Sequence, residues 1–287
     1  MTMYQEAKAP SSRLSNVGSN PMTTKTLTPF LVITFLLTWG LAAVLFLFYD
    51  QVVAIFGEVS TSNPLYILAV YSPGIAGTFL VLRHYGLKGL GSVLQRLTLW
   101  RAPLKWWLFL LLGVPVIFFA GAAIKGTISD PFPFTPWYQV LPALGMALFL
   151  GPIEEFGWRG VALPLLQRKF TPFWAGLILG LVWAAWHVPA FMMGGTPQSN
   201  WSFIPFFAGV VALSIVLTPL FNASKGSLLI AVLYHFQMMN PLWPDAQPWD
   251  SLIIILAAVV IVWLNRDTMF RHGHAVTDVL MPSEPTK

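Results

Sequence analysis

Residues 148–160 read Leu-Phe-Leu-Gly-Pro-Ile-Glu-Glu-Phe-Gly-Trp-Arg-Gly, so Glu154, Glu155 and Arg159 fall inside an apolar stretch, 137–167, long enough to cross a bilayer. Each ionised side chain at a membrane helix centre costs roughly 2.5–3.5 kcal/mol, so three left unpaired would cost on the order of 10 kcal/mol. The cluster therefore reads as a polar site within a membrane protein, with chemistry inside the bilayer as the leading expectation.

The remainder of the chain supports the membrane reading. Of 287 residues 56% are hydrophobic and only 9% charged, against about a quarter charged in ordinary soluble domains. Apolar stretches lie at 29–49, 64–82, 104–124, 137–167, 172–193, 201–221, 227–243 and 249–265. The expected fold is all-α, a polytopic membrane protein with about eight transmembrane helices. A polar, disordered tail is expected over 1–26, a membrane helical domain over 27–266 and a cytoplasmic tail over 267–287. No cleaved leader is expected, because the polar stretch before the first apolar run is too long for an n-region.

With the N-terminus in the cytoplasm, every Lys and Arg except Lys125 and Arg159 falls on the inner side or in the inner loops, while Asp50, Glu58, Asp130 and Asp245 collect outside. The positive-inside rule then places both termini in the cytoplasm and makes the protein a multi-pass component of the cell membrane. Between the second and third stretches, Leu90, Val93, Leu94 and Leu97 follow helical spacing beside Lys88, Arg96 and Arg101. That pattern fits either a short helix on the inner surface or a plain basic loop. Gly176 with Gly180, and Gly157 with Gly160, offer sites of close helix approach. Lipid is the expected surroundings, and nothing points to nucleic acid.

The candidate chemistry follows from helix geometry. Neighbours on a helix point about 100° apart, whereas residues four apart share a face. Glu155 therefore reaches Arg159, and Glu154 is left as a carboxylate free to take a proton from water. At about 1.5 Å per residue, Glu154 and His187 lie roughly 21–24 Å from the inner ends of their helices, with His235 about 15 Å in, so modest tilt would let the three meet. Pro152 and Pro189 each remove a helical hydrogen bond beside this depth, inviting kinks and freed carbonyls around a water-holding pocket. The chain has no cysteine, so a metal would have to be held by His, Glu, Asp or Asn.

Glu154-Glu155-x-x-x-Arg159, Trp183 four residues before His187, and His235 followed by Asn240 together resemble the CPBP family of intramembrane proteases, which contains the type II CAAX prenyl endopeptidases and the bacterial Abi-like proteins. The resemblance covers 150–241. Trp183 stands where the family usually has Phe, and Asn240 comes five residues after His235 where the family has Asn at four, with Met239 in that place. The resemblance implies hydrolysis of a peptide bond in a membrane-associated substrate, of prenylated CAAX or bacteriocin type. Glu154 and His187 would activate water, His235 and Asn240 would hold the oxyanion, and Glu155, Arg159 and Trp183 would support them. Glu154, His187 and His235 would be the ligands if Zn2+ binds, and a metal-free mechanism stays equally open. The rivals are a non-catalytic immunity or scaffold protein and a proton-coupled transporter.

Overall fold

The computed structural model describes residues 21–281, and all regular structure among them is helical. The helices are α1 Leu27–Leu47, α2 Tyr49–Phe56, α3 Pro64–Val70, α4 Ser72–Gln95, α5 Leu104–Lys125, α6 Trp137–Gln167, α7 Pro172–Met192, α8 Phe203–Ala223, α9 Leu228–Met238, α10 Trp249–Leu264 and α11 Arg266–Met269. By length and composition five helices among the described residues can cross a membrane, or six when α3 and α4, bent by 57°, count as one broken span. All-α, polytopic architecture is thus what the sequence folds into.

The ends of these helices gather on two faces. Arg168 donates to the carbonyls of both Met22 and Thr277, Arg96 donates to Gly226, and Lys105 to Asn265, so the segments bearing both ends of the described chain share one face. On the other, Gly195 lies against the Val59 carbonyl and Lys125 pairs with Asp245 at 2.8 Å. Successive links alternate between these faces, as the distribution of basic residues implies.

One of the eight expected spans is markedly shorter than the sequence suggests. The stretch 227–243 is helical only over Leu228–Met238, about 16 Å at 1.5 Å per residue, roughly half of a bilayer core. Pro241 is the cause: it cannot donate, and it biases Asn240 away from helical backbone. From Met239 onward an irregular segment completes the passage to Asp245. The helix α10, with 16 residues, matches the stretch 249–265 to within one residue but is shorter than α1, α5, α6, α7 and α8.

Packing forms three clusters among the described residues, and the two larger ones tie the helices together. Phe30, Leu80, Trp158, Leu163, Leu179 and Trp183 unite α1, α4, α6 and α7. Trp106, Leu110, Val216, Leu220, Tyr234 and Ile254 unite α5, α8, α9 and α10. Close contact needs glycine at the seams: a Cβ on Gly180 would lie 2.9 Å from Val211 Cα, and one on Gly157 would lie 2.1 Å from the Pro73 carbonyl. Gly160 has no such crowding, so only Gly157 of the second expected pair sets an approach distance.

The chain ends differ from the tails read in the sequence. Residues 1–20 and 282–287 lie outside the described residues. Within them, Met22 is fully buried and Thr23 caps a 3-10 turn over Thr24–Thr26, so the expected disorder does not extend to 26. Residues 276–281 form a strap across the helix ends on the face that carries Arg168. Its carbonyls from Val276 to Leu280 accept from Gln167, Arg168 and Arg96, and its Met281 N–H donates to Ser92. Arg96, expected on either a surface helix or a basic loop, is 1% exposed, its guanidinium shared among the carbonyls of Gly226 and residues 278–280. The preceding segment is helical after a break at Gly86, whose φ of 62° only glycine adopts readily. Val93 points inward and Leu94 outward, which favours the surface-helix reading over the plain loop.

Candidate active site

The helix α6 is not regular where it carries the acids. It bends at Leu150 and Gly151, runs as a 3-10 turn over Pro152–Glu154, and relaxes into a π turn over Trp158–Ala162. Pro152 accounts for the break, and π turns widen a helix where side chains need room. The α7 backbone also turns out of regularity at His187, one residue before the Val188–Met192 segment that carries Pro189.

Adjacent positions send the two acids in different directions. Glu154 Oε2 accepts from the indole N–H of Trp183 at 2.8 Å and of Trp158 at 3.3 Å. Its Oε1 takes no hydrogen bond among the described residues, and no ion pair engages the carboxylate. Glu155 Oε1 instead meets Arg159 Nη1 at 3.1 Å and His235 Nδ1 at 2.7 Å. The reach from Glu155 to Arg159 follows the helical spacing of four, while the bond to His235 could not be read from one helix alone.

Trp183 is the hub of the arrangement. Its ring centre lies 5.8 Å from that of His187 and 5.3 Å from that of His235, and Arg159 Cζ stands 4.7 Å over it. One side chain therefore donates to Glu154, spaces two imidazoles and faces a buried cation. The sequence assigns it only an aromatic wall. Arg159 and Glu155 are both fully buried, so the cation over the ring adds to the pairing that offsets their desolvation.

The hydrogen bonds fix how the imidazoles are presented. His187 Nδ1 lies 2.8 Å from the Trp183 carbonyl, which can only accept, so the proton sits on Nδ1 and Nε2 offers a lone pair. His235 Nδ1 is held by Glu155, and its Nε2 faces Gly151, where a Cβ would come within 2.8 Å. Met239 Sδ closes in on the same glycine, so the residue four after His235 stands beside that nitrogen.

Asn240 is engaged elsewhere. Its Nδ2 donates to Gln237 Oε1 at 3.0 Å, and its Oδ1 accepts from the Leu242 N–H at 3.1 Å. Gln237 in turn donates to the Leu110 carbonyl. Because α9 ends at Met238, Asn240 caps a turn rather than extending the His235 face of the helix.

Glu154 Oε1 and the Nε2 atoms of both histidines are donor types that zinc accepts. Among the described residues, however, no three His, Asp or Glu side chains gather closely enough to hold an ion. The Glu154, His187 and His235 set thus has the donor chemistry of a zinc site, contributed from α6, α7 and α9.

Residues the sequence left unread form the support. Trp158 repeats for Glu154 the spacing of four that links Glu155 to Arg159, a signal present in the sequence. Trp186 packs edge-on against both His187 and Trp158, and its indole donates to Thr38 of α1 at 2.6 Å. Thr38 also donates to the Ala69 carbonyl and meets Ser72. Through Trp186, α1 thus braces the rings behind both Glu154 and His187. Thr38→Val is expected to lower kcat several-fold with KM little changed, with Thr38→Ser restoring it. Equal kcat values in all three would remove α1 from the site.

Comparison with known proteins agrees with the resemblance read from the motifs. A family model described as Type II CAAX prenyl endopeptidase Rce1-like matches residues 136–240. The chain is also 26% identical over 174 residues to CAAX prenyl protease 2 of Methanococcus maripaludis, a match spanning 57% of this chain and 62% of that protein.

Proposed function

We propose, from the CPBP-like motifs at 150–241 and the Rce1-like family model that matches residues 136–240, that this protein is an intramembrane endopeptidase that hydrolyses a peptide bond of a membrane-associated substrate in the cell membrane. The observation that carries the proposal is Glu154: a buried carboxylate steadied by two indoles through Oε2, with Oε1 unengaged and two imidazoles packed against the ring of the Trp183 that donates to it.

In this reading Glu154 Oε1 and His187 Nε2 share a water molecule, and Glu154 removes its proton as oxygen attacks the scissile carbonyl. The same acid then hands that proton to the departing amine. Negative charge develops on the carbonyl oxygen, where His235 Nε2 is the donor assigned to meet it. Donation requires protons on both ring nitrogens, and Glu155 accepts the one on Nδ1. Arg159 keeps Glu155 in place, and Trp183 spaces the acid from the rings. Zinc, if bound, would be held by Glu154, His187 and His235 and would supply Lewis acidity; the steps above use only the chain's own groups.

Asn240 shares the oxyanion role only after releasing Gln237 and Leu242. Asn240→Ala is therefore expected to cost less than about tenfold in kcat, below the 100- to 1,000-fold typical of a lost oxyanion donor. A loss in that larger range would show that the turn rearranges around substrate.

Prenylated CAAX peptides lead the substrate panel, because the Methanococcus maripaludis relative is named for that activity. The decisive experiment incubates purified protein and Glu154→Gln with lipidated and unlipidated peptides, with and without chelator and added zinc, and reads products by mass spectrometry. Cleavage by the native protein alone supports the proposal. A folded protein that cleaves nothing would favour the immunity or scaffold reading, and proton-coupled uptake into liposomes would favour the transporter.

A further inference from the structure

The helices α7, α8 and α10 leave a groove of about 780 Å³ between them. Its walls include Leu181, Phe207, Ala208 and Val259, and every lining residue but one is apolar. The groove is not interior space: Leu181 is 45% and Val259 64% exposed, on helices whose surroundings are hydrocarbon. The exception is Arg266, at the end bounded by Trp263 and Phe270, on the face that carries both described chain ends.

Arg266 is placed as a headgroup ligand would require. It follows α10 directly, at the level where Lys105 meets Asn265. One nitrogen donates to the Trp263 carbonyl, and the guanidinium stacks over that indole with Cζ 5.6 Å from its centre. It forms no ion pair among the described residues, although Asp267 is its neighbour in sequence. Positive charge thus stands at the inner mouth of an apolar channel that runs toward the middle of the membrane.

We propose that this groove is a binding site for an anionic phospholipid of the inner leaflet, with an acyl chain between α8 and α10 and the phosphate on Arg266. Apolar lining selects the chain, and the guanidinium offers charge-assisted hydrogen bonds to phosphate oxygens. The groove lies on the flank of α7 away from Trp183, so occupancy does not depend on the peptidase reading.

The test is native mass spectrometry of the full chain released from detergent, after exposure to phosphatidylglycerol or phosphatidylcholine. The native protein is expected to retain phosphatidylglycerol preferentially, and Arg266→Gln to lower that preference about fivefold, the factor for one basic residue at a membrane surface. Arg271→Gln removes an equal charge outside the groove and is expected to behave as native. Ala208→Trp fills the groove and is expected to lose both lipids; Ala208→Leu, with thermal unfolding measured for each, guards against a misfolded variant. Undiminished retention by a folded Ala208 variant would overturn the site. Equal effects of Arg266→Gln and Arg271→Gln would reduce it to surface charge. Displacement of the lipid by a farnesylated peptide at equal concentration would make the occupant a substrate chain, and the proposal would fall.

Discussion

Glu154→Gln is expected to yield a folded protein that cleaves none of the substrates the native protein accepts. The replacement is nearly isosteric, and its amide oxygen can still accept from Trp183 and Trp158, so the surrounding rings keep their partner. What changes is the second atom. An amide nitrogen in place of Oε1 cannot take a proton from water, and loss of general-base catalysis lowers rates on the order of 100- to 10,000-fold. Product formation by mass spectrometry alongside a thermal unfolding curve separates chemistry from folding. A variant with native stability and native turnover would mean that the water is activated elsewhere.

Arg159→Leu is expected to damage the fold itself. Glu155 is fully buried, and the substitution would leave it with only His235. Breaking a buried pair by removing one partner costs about 3–5 kcal/mol, because the remaining charge stays in low dielectric. The variant should therefore show low yield and a depressed unfolding temperature in detergent. The double variant Glu155→Leu with Arg159→Leu should recover much of the stability, since no buried charge is then abandoned. It should not recover activity, as His235 loses the group that orients its ring. If the single variant unfolds like the native protein, the pair has another source of compensation.

Legibility in the sequence followed the range of the forces involved. Local rules worked well: the spacing of four found Glu155 and Arg159, proline marked the breaks beside Glu154 and His187, and apolar length found the helices. Long-range partners were beyond them. That His235 sits on Glu155 depends on how α9 packs against α6, and that Trp183 serves Glu154, Arg159 and both histidines depends on three helices at once. Hydropathy over 227–243 overran the true helix because it counts apolar side chains and ignores the missing donor at Pro241. Arg96 misled in the opposite sense: a basic residue near a loop looks solvated until a distant segment wraps it with carbonyls.

The strap over residues 276–281 also gives the molecule a mechanical order of failure. A load applied at the C-terminus reaches its hydrogen bonds to Ser92, Arg96, Gln167 and Arg168 before any of it is felt by α10. Extension experiments should record a short, early rupture ahead of helix extraction. Since Arg168 also grips Met22, that same event unclasps the two ends of the described chain from one another.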